Sequence, residues 1–372
     1  MRIGVPKEIK DHEGRVGLVP TSVAELVAHG HELFVEAGAG RGIGATDAAY
    51  VAAGARILAG ADEVFAVADM IVKVKEPQAA ERARLRDGQI LFTYLHLAPD
   101  PVQARELLAS GATCIAYETV TSAAGALPLL APMSEVAGRM APQAGAHCLE
   151  NASGGMGVLL GGVPGVLPAQ VVILGGGVAG TNAAHIAIGL GADVTVVDRS
   201  LDVLRRQVAT FGSCVKTAHA NREIVGDLVT RADLVISTVL VPGAAAPKLI
   251  SRAMVSAMKP GSVIVDVAID QGGAAETSRA TTHSQPTYVV DGIIHYCVAN
   301  MPGGVARTSA QALNNATLPF VLALADKGWR QALADDPHLA NGLNVHAGRI
   351  TNAAVAEALG ETFLAPVRAL AA

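Results

Sequence analysis

A chain of 372 residues exceeds one ordinary domain, and with 51% apolar residues it can bury more than one core. A formal net charge of -5 and a sequence pI near 6.1 argue against nucleic acid as the main partner. Aromatics make up only 3%, so the core has to be built from Ala, Val, Leu and Ile, as in parallel sheets covered by helices.

The N-terminus, MRIGVPKEIKDHEGR, reaches charged residues too soon for a secretory signal. Residues 1–128 then alternate short apolar runs with helical patterns. Strands are expected at Arg2–Val5, Glu32–Glu36, Met70–Val74, Ile90–Leu95 and Cys114–Tyr117. Helices are expected at Thr21–His29, Asp47–Ala53, Gln78–Arg86 and Pro101–Ser110. This alternation implies a mostly parallel sheet. The glycine-rich Ala37–Thr46 reads as a connection rather than a phosphate site. Leu129–Asn151 follows as a long amphipathic helix, expected to cross between two lobes.

No Asp, Glu, Lys or Arg lies between Glu150 and Asp193, a run long enough to span a membrane. Ten glycines within residues 154–180, with Pro164 and Pro168, exclude a lipid-exposed helix there. Further strands are expected near Val171 and Val194 and at Leu234–Thr238, Ser262–Asp266 and Thr287–Val290. Helices at Leu201–Phe211, Asn221–Arg231 and Ser251–Met258 separate them. After about residue 303 the pattern reads as purely helical, through Ser309–Lys327, Trp329–Ala334 and Thr351–Leu359. That tail is expected to pack back on the first lobe. The four cysteines, Cys114, Cys148, Cys214 and Cys297, form no CxxC pair, which fits a reducing, cytoplasmic setting.

The strongest motif is Val171–Asp198, VVILGGGVAGTNAAHIAIGLGADVTVVD. It reads as strand, Gly175-x-Gly177-x-x-Gly180 turn, helix, and a second strand ending on Asp198. With glycine at 40 of 372 positions, that spacing alone arises about half a time by chance, so the flanking strand and helix carry the reading. In such a unit the first glycine allows a tight turn, the second lets backbone approach a pyrophosphate, and the third lets helix pack on strand. The helix N-terminus faces the phosphates. Asp198 would accept from ribose hydroxyls and repel a 2′-phosphate, favouring NAD over NADP, a preference weakened a little by Arg199. The expected fold class is α/β, with two Rossmann-like lobes, doubly wound mostly parallel sheets, and a discontinuous substrate domain. Its boundaries are expected at 1–128 plus 307–372 for the substrate domain and 129–306 for the nucleotide domain.

Chemistry is expected where the two lobes face one cleft. Five side chains sit just past strand ends: Arg15, Lys75, His96, Asp270 and Asn300. Singly, each has an ordinary structural reading: a surface ion pair, a solvated strand end, a hydrogen-bonding histidine, a turn aspartate. Their shared placement favours a site.

The segments RIGVPKEIK…EGRVGLVP, ADMIVKVKEP, GQILFTYLHLAPD, CIAYETV, PLLAPMSEVAGR, GVLLGGVPGV, VILGGGVAG, KPGSVIVDVAIDQGG and YCVANMPGGVARTSAQALNNATLPF run nearly end to end. On these, the chain resembles the alanine dehydrogenase and transhydrogenase α-subunit family. The resemblance implies NAD-dependent, reversible oxidative deamination of L-alanine to pyruvate and ammonia, with no nucleic acid or membrane partner, in a homohexamer.

Position by position, the resemblance makes Arg15 and Lys75 the holders of the substrate carboxylate, with His96 and Asp270 as acid/base residues and Asn300 near the substrate. It assigns to the cofactor Ser134, then Gly175, Gly177, Val178, Ala179 and Gly180 of the turn, and Asp198. Val239 and Leu240, the run Val267, Ala268, Ile269 and Asp270, Arg279, and the run Val298, Ala299, Asn300 and Met301 complete that wall. Val203 and Ala220 replace a basic residue and a serine found in some members, so NAD affinity or orientation is expected to differ. A basic residue common near Met156 is also missing, and nothing in the sequence explains that. Some relatives hold a metal through acidic and histidine side chains on the late helix; Ala323 and Lys327 stand there, so no metal is expected.

Three other functions compete with this one. A transhydrogenase component would carry an Arg-Gln loop where this chain reads PMSEVAGRMAPQ, and would work with a membrane portion not expected in a chain ending at Ala372. A non-catalytic NAD-sensing protein would have no need of Arg15, Lys75, His96 and Asp270. An enzyme for another small 2-amino acid, such as glycine, would keep them.

Overall fold

The computed structural model describes residues 1–239 and 246–371. They divide into two compact units, Met1–Met133 with the stretch from Val305 onward, and Ser134–Gly304.

The first unit opens with β1 (Arg2–Val5), β2 (Glu32–Glu36), β3 (Arg56–Leu58), β4 (Met70–Val72), β5 (Ile90–Thr93) and β6 (Thr113–Ala116). All six run parallel, in the order β6-β5-β4-β1-β2-β3. Their side chains are almost wholly buried in β4, β5 and β6, as expected of strands covered on both faces. The chain reverses its winding between β1 and β4, so their carboxyl ends flank the crevice where doubly wound sheets bind ligands.

The second unit holds β7 (Gln170–Leu174), β8 (Asp193–Asp198), β9 (Val215–His219), β10 (Leu234–Ser237), β11 (Val263–Asp266), β12 (Thr287–Val290) and β13 (Ile293–Tyr296). Their order is β12-β13-β11-β10-β7-β8-β9, parallel throughout except for the antiparallel edge β12. Here the reversal falls between β7 and β10. Val171, Ile173, Val194, Val196, Leu234 and Val263 form one face of the core, against Ala183, Ala184 and Ala187 of the helix Val178–Gly189. The expected long helix is observed as Ala131–Cys148.

The C-terminal part corrects one expectation. It is not purely helical: between the helices Pro337–Ala340 and Ala353–Leu359 lie β14 (Leu343–His346) and β15 (Arg349–Ile350). β14 pairs antiparallel with β6 and so extends the first sheet. The strands are four and two residues long, too short to show an alternating pattern, and a tight turn through Ala347 and Gly348, both at positive φ, joins them. Three more strands, β3, β9 and β13, stand where no strand was expected, and the helix expected over Gln78–Arg86 is confined to Ala79–Arg82. Among the described residues no helix is long and apolar enough to cross a membrane.

Candidate active site

In the first unit Arg15, Lys75 and His96 follow β1, β4 and β5, three adjacent strands, at their carboxyl ends. Arg15 is 2% exposed. Its Nε and Nη2 donate to the Glu13 carboxylate at 2.7 and 2.5 Å, and its backbone N–H donates to Glu13 Oε1 at 2.9 Å. Burial works against the guanidinium charge, yet the hydrogen bonds and charge of Glu13 raise its pKa above the ordinary value. Nη1 donates to Met133 Sδ at 2.9 Å.

Lys75 has its side chain 13% exposed, with Nζ 3.9 Å from Glu76 Oε2. Glu76 also pairs closely with Lys10. Burial alone would raise the Glu76 carboxyl; the two lysines outweigh it and hold it below its ordinary value. Beneath lies a set of buried charges that no sequence pattern singles out. Lys73 is fully buried between Glu8 at 2.9 Å and Glu81 at 2.7 Å, and Glu8 Oε1 accepts the Val74 N–H at 2.7 Å.

His96 adopts the left-handed region at φ 49. Its imidazole stacks on Tyr94, with centroids 5.7 Å apart and planes at 5°. Glu118 Oε1 accepts the His96 N–H at 2.6 Å and lies 3.9 Å from Nδ1.

In the second unit every described candidate also lies at carboxyl ends of parallel strands, apart from Ser134, half-buried in the helix Ala131–Cys148, and Arg279. Gly175 follows β7, Asp198 ends β8, Val239 follows β10, Asp270 follows β11, and Asn300 follows β13. Gly175 has φ 98, closed to most side chains, and a Cβ on Gly180 would fall 1.8 Å from Gly175 O. Gly177 caps the helix Val178–Gly189, and a Cβ there would meet nothing within 4 Å. Gln207, missed in the sequence, donates to Gly176 O at 2.9 Å and to Thr181 Oγ1 at 2.7 Å, which fixes the turn from below. Asp198 Oδ2 accepts the Gly176 N–H and Oδ1 accepts the Ser200 N–H, both at 2.8 Å. Val203 stands against Gly176: a Cβ on that glycine would lie 2.6 Å from Val203 Cγ1.

Asp270 is exposed, and its Oδ1 accepts the Asn300 N–H at 3.3 Å. Asn300 has φ 62, and its carbonyl faces His283 Nε2 at 3.1 Å. The loop carrying Asp270 is organised by Asp266, another residue not singled out beforehand. Its carboxylate, fully buried, accepts from the Ala268 and Ala274 N–H groups and from Ser278 Oγ, at 3.1, 2.8 and 2.5 Å. Ala268, Ile269, Val298 and Met301 are buried. Arg279 is exposed and stacks on Tyr288 at 4.1 Å. Leu240 lies outside the described residues.

The chain matches the family models "Alanine dehydrogenase/PNT, N-terminal domain" over residues 4–137 and "Alanine dehydrogenase/PNT, C-terminal domain" over 141–353. It is 62% identical to an alanine dehydrogenase of Halomonas elongata over 97% of both chains. A solved L-alanine dehydrogenase superposes with a TM-score of 0.94 at 51% identity, covering 97% of this chain and 99% of that one. A transhydrogenase from Sinorhizobium meliloti is more distant, with a TM-score of 0.81 at 28% identity over 95% of this chain and 100% of that one. With both halves matched and two sheets of the same winding, the chain belongs to the alanine dehydrogenase/PNT family.

Proposed function

We propose that this chain catalyses the reversible, NAD-dependent oxidative deamination of L-alanine to pyruvate and ammonia. The observation that carries the reading is the row of Arg15, Lys75 and His96 at the carboxyl ends of three adjacent strands, β1, β4 and β5, beside the reversal of the first sheet. Full-length identity to a relative named alanine dehydrogenase supports the choice of substrate.

The second unit's turn fits a nicotinamide dinucleotide. Open space at Gly177, in front of a helix of 12 residues with no side-chain cap, suits a pyrophosphate. When bound, the nicotinamide supplies the hydride acceptor for the substrate Cα. Asp198 favours NAD, because its carboxylate is held at the end of β8 by two backbone donors and would repel a 2′-phosphate. Asp198→Ala is expected to weaken NAD binding and narrow the NAD/NADP preference in kcat/KM; an unmoved ratio assigns ribose recognition to another residue.

Arg15 and Lys75 hold the substrate carboxylate. A planar guanidinium forms a two-pronged, charge-assisted pair that lysine cannot duplicate. Arg15→Lys is therefore expected to raise the KM for alanine strongly while leaving NADH affinity unchanged. Unaltered alanine kinetics would remove Arg15 from the clamp. Hydride loss from a neutral amine gives an iminium, water adds to form a carbinolamine, and collapse releases ammonia and pyruvate. His96 moves protons at the developing carbonyl oxygen, while Asp270 orients the water and balances the cation.

The test mixes protein, NAD and L-alanine at alkaline pH and follows NADH absorbance. Replacing alanine by other small amino acids, and NAD by NADP, sets the substrate range. No reduction with any amino acid would overturn the reading. We further place the reaction in the cytosol and in a homo-oligomer; sedimentation tests the latter.

A further inference from the structure

We propose that Glu118 is a positioning residue for His96, holding both its backbone and the side of the ring that carries Nδ1. This rests on the acid/base reading of His96 above. Glu118 lies in the turn just beyond β6, which pairs with β5, the strand that delivers His96. Its side chain is 14% exposed and aims at a single turn of backbone. Oε1 accepts the His96 N–H at 2.6 Å, and both oxygens lie 3.2 Å from the Leu95 N–H.

Those bonds fall where the chain needs them. A non-glycine residue at φ 49 costs free energy unless its surroundings hold it there. Here a carboxylate supplies charge-assisted acceptors to two successive N–H groups, and so fixes the bend. The same Oε1 is 3.9 Å from His96 Nδ1, on the opposite side of the ring from Nε2. Tyr94 is stacked on the imidazole, and Arg15 and Glu118 both act on that phenol.

Two variants separate charge from geometry. Glu118→Gln keeps an oxygen acceptor for the backbone but removes the negative charge; Glu118→Ala removes both. In Glu118→Gln, which keeps an oxygen acceptor for the two N–H groups, we expect kcat to stay within a few-fold of wild type with the KM for alanine unmoved. Glu118→Ala is expected to lose at least tenfold in kcat with NADH affinity unchanged. His96→Ala is run beside them. If His96→Ala turns over normally, the acid/base reading fails. If it is inactive while both Glu118 variants keep the wild-type kcat, the reading stands and this proposal is overturned. A rise in the KM for alanine in step with the fall in kcat, together with a lowered Tm, in both variants also overturns it, since that is the signature of a purely structural residue.

Discussion

Replacing His96 by alanine is expected to lower kcat by roughly 10²–10⁴, the usual contribution of a positioned acid/base. The fold should tolerate the change. The side chain is 44% exposed, and its main contact is a stacking face on Tyr94, whose hydroxyl is already engaged in donating to Leu129 O. Backbone strain is the complication, because alanine suits φ 49 no better than histidine does. His96→Asn removes that ambiguity: asparagine enters the left-handed region more readily and carries no proton-transfer group of useful pKa. Both variants should fall together in kcat while KM for alanine moves little, since the carboxylate clamp is built from Arg15 and Lys75. Wild-type turnover in His96→Asn would strip the imidazole of its role. A defect in alanine alone would mean that only the backbone bend matters.

The architecture was legible where local patterns were long. β1, β2 and β12 and the helices Pro101–Ser110 and Leu201–Phe211 have the boundaries that their apolar runs and caps imply. Strands expected at Met70–Val74 and Ile90–Leu95 end earlier, at Val72 and Thr93, because the apolar run continues past the last ladder pair into the crevice. β13 went unseen although Asp291-Gly292, both at positive φ, form a hairpin signal between β12 and β13. β9 reads VKTAH, whose polar residues disguise an edge strand. The candidate site shows the same division. Lys75 and His96 stand out as titratable groups directly after apolar runs, and Arg15 as a cation in the loop that follows β1. Their partners do not: Glu118 is 22 residues from His96, and Lys73 is 65 from Glu8, distances that only the sheet closes.

Lys73→Met is expected to cost about 3–5 kcal/mol of stability in the first unit, as for any buried ion pair deprived of one partner. Lys73 is fully buried, and Glu8 and Glu81 are nearly so. Burial disfavours the ammonium, but the two carboxylates outweigh it and hold Lys73 above its ordinary 10.5. In the wild type the lysine's contribution is therefore intact at neutral pH and is lost only as pH rises through that raised value. Without Lys73, Glu8 faces Glu81 and its own burial with no cation to oppose them, so its folded-state value, already raised, rises further. Stability of the variant should then recover as pH falls toward the ordinary carboxylate range, the reverse of the usual acid weakening. Denaturant unfolding across pH measures this, and adding Glu81→Gln should restore part of the loss. A second readout ties the triad to chemistry: Glu8 Oε1 holds the Val74 N–H, one residue before Lys75. Disordering Glu8 should raise the KM for alanine along with the loss of stability. A Lys73→Met protein as stable as wild type at neutral pH would show that the buried charges do not support this strand end.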